Sequence, residues 1–316
     1  HWSVYKIAKE LHRPYNTINK EVQNGTVYLY NGKVKRYKPD IAEQKYKDKR
    51  ANSKRNYRCL ECVEFLNYVV EMFNKKGWSL DASVGYAQKN NLFSTDEMVC
   101  TKTLYNYVDL GILPIKNIDL PEKLKRNTKS SSTRKNRKIL GKSIEERTET
   151  VNLREEFGHW EIDSVLGKKK DTEPAIMTIV ERKTRMSLWI KIKDHSSMAI
   201  DEALQSLINR FGTKKSEVFK SITGDNGSEF ANLSNIENNG ISVYFTHPYT
   251  SCEKGTNECH NKMLRRFIPK GKSIDDYSAE DILFFSDTIN GLPRKILNYH
   301  TPEELFDNQL DRIYAT

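Results

Sequence analysis

No apolar run in the 316 residues approaches the ~18 that a membrane-crossing helix needs, and the start lacks the apolar core of a secretory leader. The expectation is a chain with no membrane partner. Cysteine is scarce: Cys59, Cys62, Cys100, Cys252 and Cys259 make an odd set of 5 without the pattern of a disulfide framework. Cys59-Leu60-Glu61-Cys62 has the spacing of a zinc pair, but no second Cys/His pair follows at a suitable distance, so reduced thiols in a reducing compartment are the better reading. A glycine-rich phosphate loop is also missing, which leaves nucleotide-dependent chemistry unsupported. Acid is short in one half only. Residues 1–150 hold 30 Lys and Arg against 17 Asp and Glu, an excess of 13, whereas residues 151–316 hold 22 against 25, a deficit of 3. A basic half points to a polyanion, because Lys and Arg neutralise phosphates and release condensed counterions.

What is present begins with helices. Val4, Ile7, Ala8 and Leu11 recur at helical spacing, His12-Arg13-Pro14 breaks the pattern, and Tyr15 to Val22 resumes it with Ile18 and Val22 inward. In a helix-turn-helix of this kind the second helix enters the major groove, which directs Arg13, Tyr15, Asn16, Thr17, Asn19 and Lys20 towards DNA. The tract from Lys33 to Arg58, basic and interleaved with Tyr37, Tyr46 and Tyr57, suits an arm that tracks the phosphate backbone. A further helix is expected from Cys62 to Phe73, stopped by Lys75-Lys76-Gly77, and another after Trp78 with Ser79 as its N-cap. Thr101 to Asp109 reads as the partner helix of a second helix-turn-helix, with Leu104, Tyr105 and Val108 inward. Lys102, Thr103, Asn106 and Tyr107 form its exposed face. Pro114 and Pro121 end this region. The Ser/Lys/Arg-rich run through Arg134-Lys135-Asn136-Arg137-Lys138 reads as a linker.

From about Phe157 the period changes to that of strands: Trp160 to Leu166, Ala175 to Val180 and Met186 to Ile192. An amphipathic helix follows through Ala199, Leu204 and Ile208, then a strand at Val218 to Ile222, a short helix through Phe230 and Ile236, and a strand at Ile241 to Phe245. Three strands, helix, strand, helix, strand, helix describes a mixed α/β sheet covered by helices rather than a Rossmann repeat. Three acids occupy informative places in it. Asp163 lies in the first strand, on the side of Glu161 and Val165 and opposite Trp160 and Ile162. Asp225 lies in the turn after the fourth strand, and Glu258 opens the last helix, above Lys262 and Arg265. Taken singly, each has an ordinary explanation: a hydrogen-bonded strand-end Asp, an Asn-Gly turn, a surface charge series. Taken together they form a hard-oxygen site suited to Mg²⁺ or Mn²⁺, two such ions serving in-line displacement at phosphorus, with Lys262 and Arg265 beside the DNA phosphates.

These motifs resemble the IS-thirty family of insertion-sequence transposases, within the DDE transposase and retroviral integrase group. The resemblance is carried by Gly158-His159-Trp160-Glu161-Ile162-Asp163, by Asp225-Asn226-Gly227-Ser228-Glu229-Phe230, and by His247-Pro248-Tyr249 with Gly255-Thr256-Asn257-Glu258 and Leu264-Arg265. Upstream, Ile7-Ala8-Lys9-Glu10-Leu11 with Thr17-Ile18, and Gly77-Trp78-Ser79 with Thr103-Leu104-Tyr105, look like the family's two helix-turn-helix units. His12 stands where the family usually has a turn glycine, and the first unit is expected to be trimmed at its start. Cys252 and Cys259 also depart from the pattern.

The resemblance implies a multidomain chain: 1–58, a helix-turn-helix with a basic arm; 59–122, a second helical domain; 123–150, a basic linker; 151–316, an RNase H-like catalytic domain with a mixed five-stranded sheet. It implies Asp163, Asp225 and Glu258 as catalytic, metal-binding acids, and double-stranded DNA (terminal inverted repeats and target) as partner. A homodimer or higher oligomer, cytoplasmic in a bacterium and associated with the nucleoid, is implied as well. The competing readings are a transposase-derived DNA-binding regulator with an inert core, and a nuclease on the same core.

Overall fold

Ser3 opens the first helix, α1 (Val4–Glu10), by accepting the Lys6 N–H at 3.2 Å. The chain then turns through His12 at φ +48°, a left-handed conformation normally left to glycine, and enters α2 (Tyr15–Gly25) behind Pro14. The histidine therefore occupies a backbone position that favours a glycine. Ala8 and Ile18 are the buried hydrophobic residues of the two helices.

The stretch expected to be an arm is folded. Strands β1 (Thr26–Leu29) and β2 (Val34–Tyr37) form an antiparallel hairpin with Thr26 opposite Tyr37, and α3 (Pro39–Asn52) follows. Tyr30, Asn31 and Gly32 all have positive φ in the connecting loop, a hairpin signal that the charge count obscured. Ala42 is the buried hydrophobic residue of α3, too little to make a visible apolar stripe. The structure, a computed structural model, describes residues 2–52, 58–121, 123, 140–168, 173–247 and 255–315. Lys54, Arg55 and Tyr57 of the basic tract and Arg134 to Lys138 of the linker lie outside them, as do Pro248, Tyr249 and Cys252. Two compact units emerge, His1–Glu61 and Cys62–Thr316.

In the second unit α4 (Val63–Lys76) stops at Gly77, φ +65°, and α5 (Leu80–Lys89) starts where Ser79 accepts the Ala82 N–H at 3.1 Å. Helix α6 (Thr101–Asp109) buries Leu104, Tyr107 and Val108, one i, i+3, i+4 stripe. Tyr107, expected on the exposed face, is only 2% exposed and takes the inward place assigned to Tyr105. The hydroxyl of Tyr299 donates to Asp81 Oδ2 at 3.4 Å, and its ring lies where any Cβ on Gly85 would stand, 2.0 Å away. That glycine lets the helices dock on the rest of the unit.

After α7 (Glu149–Leu153) comes the sheet. β3 (His159–Leu166), β4 (Ala175–Glu181) and β5 (Ser187–Ile192) form an antiparallel meander. Helices α8 (Ser197–Asn209) and α9 (Lys215–Val218) lead to β6 (Ser221–Gly224), and 3-10 turns at Ser228–Phe230 and Leu233–Asn239 lead to β7 (Ser242–Phe245). The five strands lie in the order β5-β4-β3-β6-β7, with β6 parallel to β3 and β7 parallel to β6. The strand expected at Val218 to Ile222 begins later. Val218 ends α9, and its carbonyl accepts the indole N–H of Trp160 at 2.8 Å.

Trp160 and Ile162 enter a core shared with Ile200, Leu204 and Ile208 of α8, while Val165 packs on the opposite face with Leu264 of α10 (Gly255–Phe267) and with Ile268 just past its end. Two unanticipated helices complete the cover: α11 (Ala279–Asn290) packs on β5, and α12 (Pro302–Tyr314) brings Phe306 within 5.9 Å of the Trp160 ring. Leu140 to Arg147, read as linker, belongs to the sheet. The Phe245 N–H donates to the Lys142 carbonyl at 2.8 Å, Ser143 pairs with Phe245, and Ile144 is buried. No described helix is long and apolar enough to cross a membrane.

Candidate active site

Glu161 of β3 stands opposite Thr223 of β6 in the parallel pair. Two residues further along each strand come Asp163, still within β3, and Asp225, in the turn just past the end of β6, so the two acids lie on adjacent chain segments beyond the last residues that β3 and β6 pair. Both are half-buried. The turn carrying Asp225 is fixed at two points. Asp225 Oδ1 accepts the Gly227 N–H at 3.0 Å, while the side chain of Asn226 accepts the Leu140 N–H at 3.1 Å and donates to the Thr246 carbonyl.

Helix α10 runs along β3 and is tied to it at every fourth residue. The Asn257 N–H donates to Glu161 Oε2 at 3.3 Å, Asn261 Nδ2 to Asp163 Oδ2 at 2.6 Å, and Arg265 Nη2 to the Leu166 carbonyl at 2.8 Å. The polar partner that Asp163 needs inside an apolar strand is thus Asn261, itself held by the Thr178 hydroxyl at 3.2 Å. Glu258, one turn N-terminal to Asn261, is exposed, as is Lys262. Arg265 is half-buried, burial lowers its pKa, and its Nη2 is spent on Leu166 rather than directed outward. Among the described residues no three His, Cys, Asp or Glu side chains are grouped to hold a metal ion. The fold brings Asp163 and Asp225 together and leaves Glu258 on the solvent side of its helix.

A second polar group at this edge escaped the sequence reading. His195, after β5, has Nε2 2.7 Å from the Ser164 hydroxyl and 3.4 Å from Glu229 Oε1, and Ser164 Oγ also donates to Glu229 at 3.3 Å. The bond to Glu229 raises the pKa of His195, burial opposes it, and the charges of Glu229, Asp225 and Asp163 add to the rise. Burial pushes Glu229 up, but its bond to His195 and the further bonds it accepts hold it below the usual carboxylate value. Glu229 was visible in the Asp225–Phe230 motif; His195 had no signal beyond its place before a helix cap. In a pH titration followed by NMR, the His195 imidazole is expected to titrate above an ordinary histidine, and Glu229→Gln to bring it down; an unmoved value in the variant would break the pairing. Since the folded-state pKa is raised, the pair's contribution to stability is complete below the ordinary histidine value and is lost as pH rises through the folded one.

Beneath the first turn of α10 lies a buried polar network. Arg182 Nη1 donates to Glu161 Oε1 at 2.7 Å with both side chains buried, and Arg185 Nη1 donates to the Thr256 hydroxyl at 2.9 Å. Burial lowers the pKa of His260 to about 4, so the ring is neutral. Its Nδ1–H donates to the Thr256 carbonyl at 2.8 Å and its Nε2 accepts from Arg294 at 2.7 Å.

Of the residues expected to face DNA, Arg13, Tyr15, Asn16, Thr17 and Lys20 are exposed and Asn19 is half-buried. On α6, Lys102 and Asn106 are exposed, whereas Thr103 is half-buried with its hydroxyl 3.3 Å from Cys100 Sγ. Cys259 is exposed on α10.

Comparison with known proteins places this arrangement in a family. Residues 154–251 match the Integrase core domain. The probable transposase for insertion-like sequence element IS1161 of Streptococcus salivarius is 44% identical over 207 residues, 66% of this chain and 58% of that protein. The chain thus spans little more than half the length of that relative. Transposase InsI for insertion sequence element IS30A of Escherichia coli (strain K12) is 28% identical over 319 residues, 96% of this chain and 79% of that protein. Among solved structures, the catalytic core domain of BIV integrase is similar with a TM-score of 0.37 and 19% identity, over 50% of this chain and 98% of that one. The chain thus carries an integrase core domain over residues 154–251 and is similar, over nearly its whole length, to an IS30 insertion-sequence transposase.

Proposed function

We propose that the protein is a DNA transposase that binds the ends of an insertion sequence, cuts a strand to expose a 3′-hydroxyl, and joins that hydroxyl to target DNA. The observation that supports this reading is the parallel β3–β6 pairing, which ends two residues before Asp163 and Asp225 on adjacent chain segments, with Asp163 held by Asn261 of α10. Two carboxylates from adjacent strands, with no thiol between them, fit Mg²⁺ or Mn²⁺, since such ions are commonly held by one or two carboxylates plus substrate phosphate oxygens. Glu258, exposed one turn N-terminal to Asn261, is the third acid of the reading and would meet the pair only with metal and DNA bound. Bound ions, two in the scheme we favour, supply Lewis acidity at phosphorus and make water or a 3′-hydroxyl a better nucleophile.

The chain's own residues hold and orient. Asn261 fixes the Asp163 carboxylate, Asn226 fixes the turn of Asp225, and His195, paired with Glu229, lies near the two acids. Arg265 anchors α10 at the far end of β3, and exposed Lys262 faces the phosphates. Arg13, Tyr15, Asn16, Thr17, Asn19 and Lys20, with Lys102, Thr103 and Asn106, are read as the residues that meet duplex DNA, in a homodimer or higher oligomer that pairs two element ends.

The test is the purified protein with Mg²⁺ or Mn²⁺ and a labelled duplex carrying element ends, scored for nicked and joined products; their absence under all conditions would remove the reading. The basic hairpin and α3 have their own check. Replacing Lys33, Lys35, Arg36 and Lys38 by Gln is expected to flatten the plot of log affinity against log salt by about 0.9 for each phosphate that is no longer neutralised. An unchanged slope makes this tract a spacer.

A further inference from the structure

Between α6 and α10 lies a cavity of about 830 Å³ that takes no part in the acid site. Lys102 and Tyr105 of α6 line it from one side, Met263 and Arg266 of α10 from another, and Leu292 and Arg294 from the turn after α11. Arg294 is its unusual member. Its Nη1 meets the neutral His260 ring, its Nη2 donates to the Ile289 carbonyl at 3.2 Å, and its buried Nε–H has no hydrogen-bond partner among the described residues. No carboxylate among the described residues lies within ion-pair distance of it, and burial lowers its pKa to about 10. Arg294 is half-buried, and a guanidinium partly withdrawn from water without a counter-ion favours an anionic occupant.

The cavity's own acids do not provide it: Asp109 is paired with Lys123, and Asp119 Oδ2 accepts the Lys116 N–H at 2.8 Å. The volume suits a small ligand and is far too small for a duplex. Tyr105, Met263 and Leu292 offer the flat and apolar surface on which a base stacks. From Glu258 to Arg266 the helix rises about 12 Å at 1.5 Å per residue, some three or four nucleotide steps of roughly 3.4 Å.

We propose that this cavity takes one unpaired nucleotide of the DNA strand, three or four steps from the phosphate held at the acids. Its phosphate faces Arg294, Lys102 and Arg266, and its base lies against Tyr105, Met263 and Leu292. The inference rests on the DNA-processing reading and adds where the strand passes.

The experiment uses the full chain and a fluorescein-labelled oligo(dT) 12-mer carrying one 5-iododeoxyuridine. Photocrosslinks are expected on peptides containing Tyr105 or Met263. Lys102→Glu with Arg266→Glu, both exposed positions, is expected to weaken binding about tenfold in fluorescence anisotropy, while the control Lys89→Glu at the exposed end of α5 changes it less than twofold. Crosslinks confined to other peptides, or charge reversals without effect, overturn the inference; if element-end duplex is still nicked, the DNA-processing reading survives that result. Full competition by dTMP at equal concentration would make the cavity a free-nucleotide site and also overturn it. Failure to bind the oligonucleotide at all overturns the inference, and failure to nick the duplex as well would take the wider reading with it.

Discussion

Asp225→Asn is expected to lower both nicking and strand joining by at least about a thousandfold, the scale on which a preorganised site fails when one charged or hydrogen-bonding group is removed. Asparagine is the sharper choice over alanine. Asp225 Oδ1 accepts the Gly227 N–H, and an asparagine carbonyl keeps that bond and the turn while removing the charge. The melting temperature and duplex affinity of the Asn variant are therefore expected to stay near those of the parent, whereas Asp225→Ala loses the turn bond as well. Activity is measured on a labelled element-end duplex with Mg²⁺ and again with Mn²⁺. An Asn variant that still cuts at a tenth of the parent rate would show that the carboxylate at this turn is not a ligand, and the acid site would have to be rebuilt around other residues.

The largest loss of stability is expected at Arg182→Met. Glu161 is fully buried, and its carboxylate is held by Arg182 at 2.7 Å and by the Asn257 N–H at 3.3 Å. Removing the guanidinium leaves a buried charge with one backbone donor, a change that typically costs about 3–5 kcal/mol. Urea unfolding at neutral pH measures it. The double variant Glu161→Leu with Arg182→Met removes both charges and is expected to recover most of the loss, because apolar replacement of a buried pair is often close to neutral. Equal destabilisation of the single and double variants would mean that packing, not charge, sets the cost. The same pair seats the first turn of α10, so the single variant should also lower cutting through Asn261 and Glu258 without touching either.

The elements that sequence alone made legible are those settled by local chemistry. Period-two alternation from Trp160 to Leu166 separates Trp160 and Ile162 from Glu161, Asp163 and Val165, and the two sets lie on opposite faces of β3. Gly77 and Ser79 punctuate α4 and α5 because a left-handed C′ residue and an N-cap hydroxyl act over three or four residues. The misses came from longer range. Tyr107 and Tyr105 are two positions apart on a nine-residue helix, and only the packing of α6 selects between them. Asn261 is an unremarkable polar residue in sequence until α10 lies on β3. His195 and Glu229 are 34 positions apart and meet only because β5 and the turn after β6 end at the same edge. The hairpin at Thr26–Tyr37 was hidden by its charge, since three of its residues, Lys33, Lys35 and Arg36, are basic.

The pairing of Ser143 with Phe245 bears on how this protein is cut into pieces. β7 is the last strand of the sheet, and its open side is covered by Lys142, Ser143 and buried Ile144. An unprotected strand edge is a template for pairing with another molecule. A fragment begun at residue 151, the natural choice if the preceding stretch is taken for a tether, would strip that cover and the Arg147 bond to Thr223 at 3.2 Å. Such a fragment should precipitate on expression, and one begun at Leu140 should stay in solution, so a failure of the shorter piece says nothing about whether the sheet can fold.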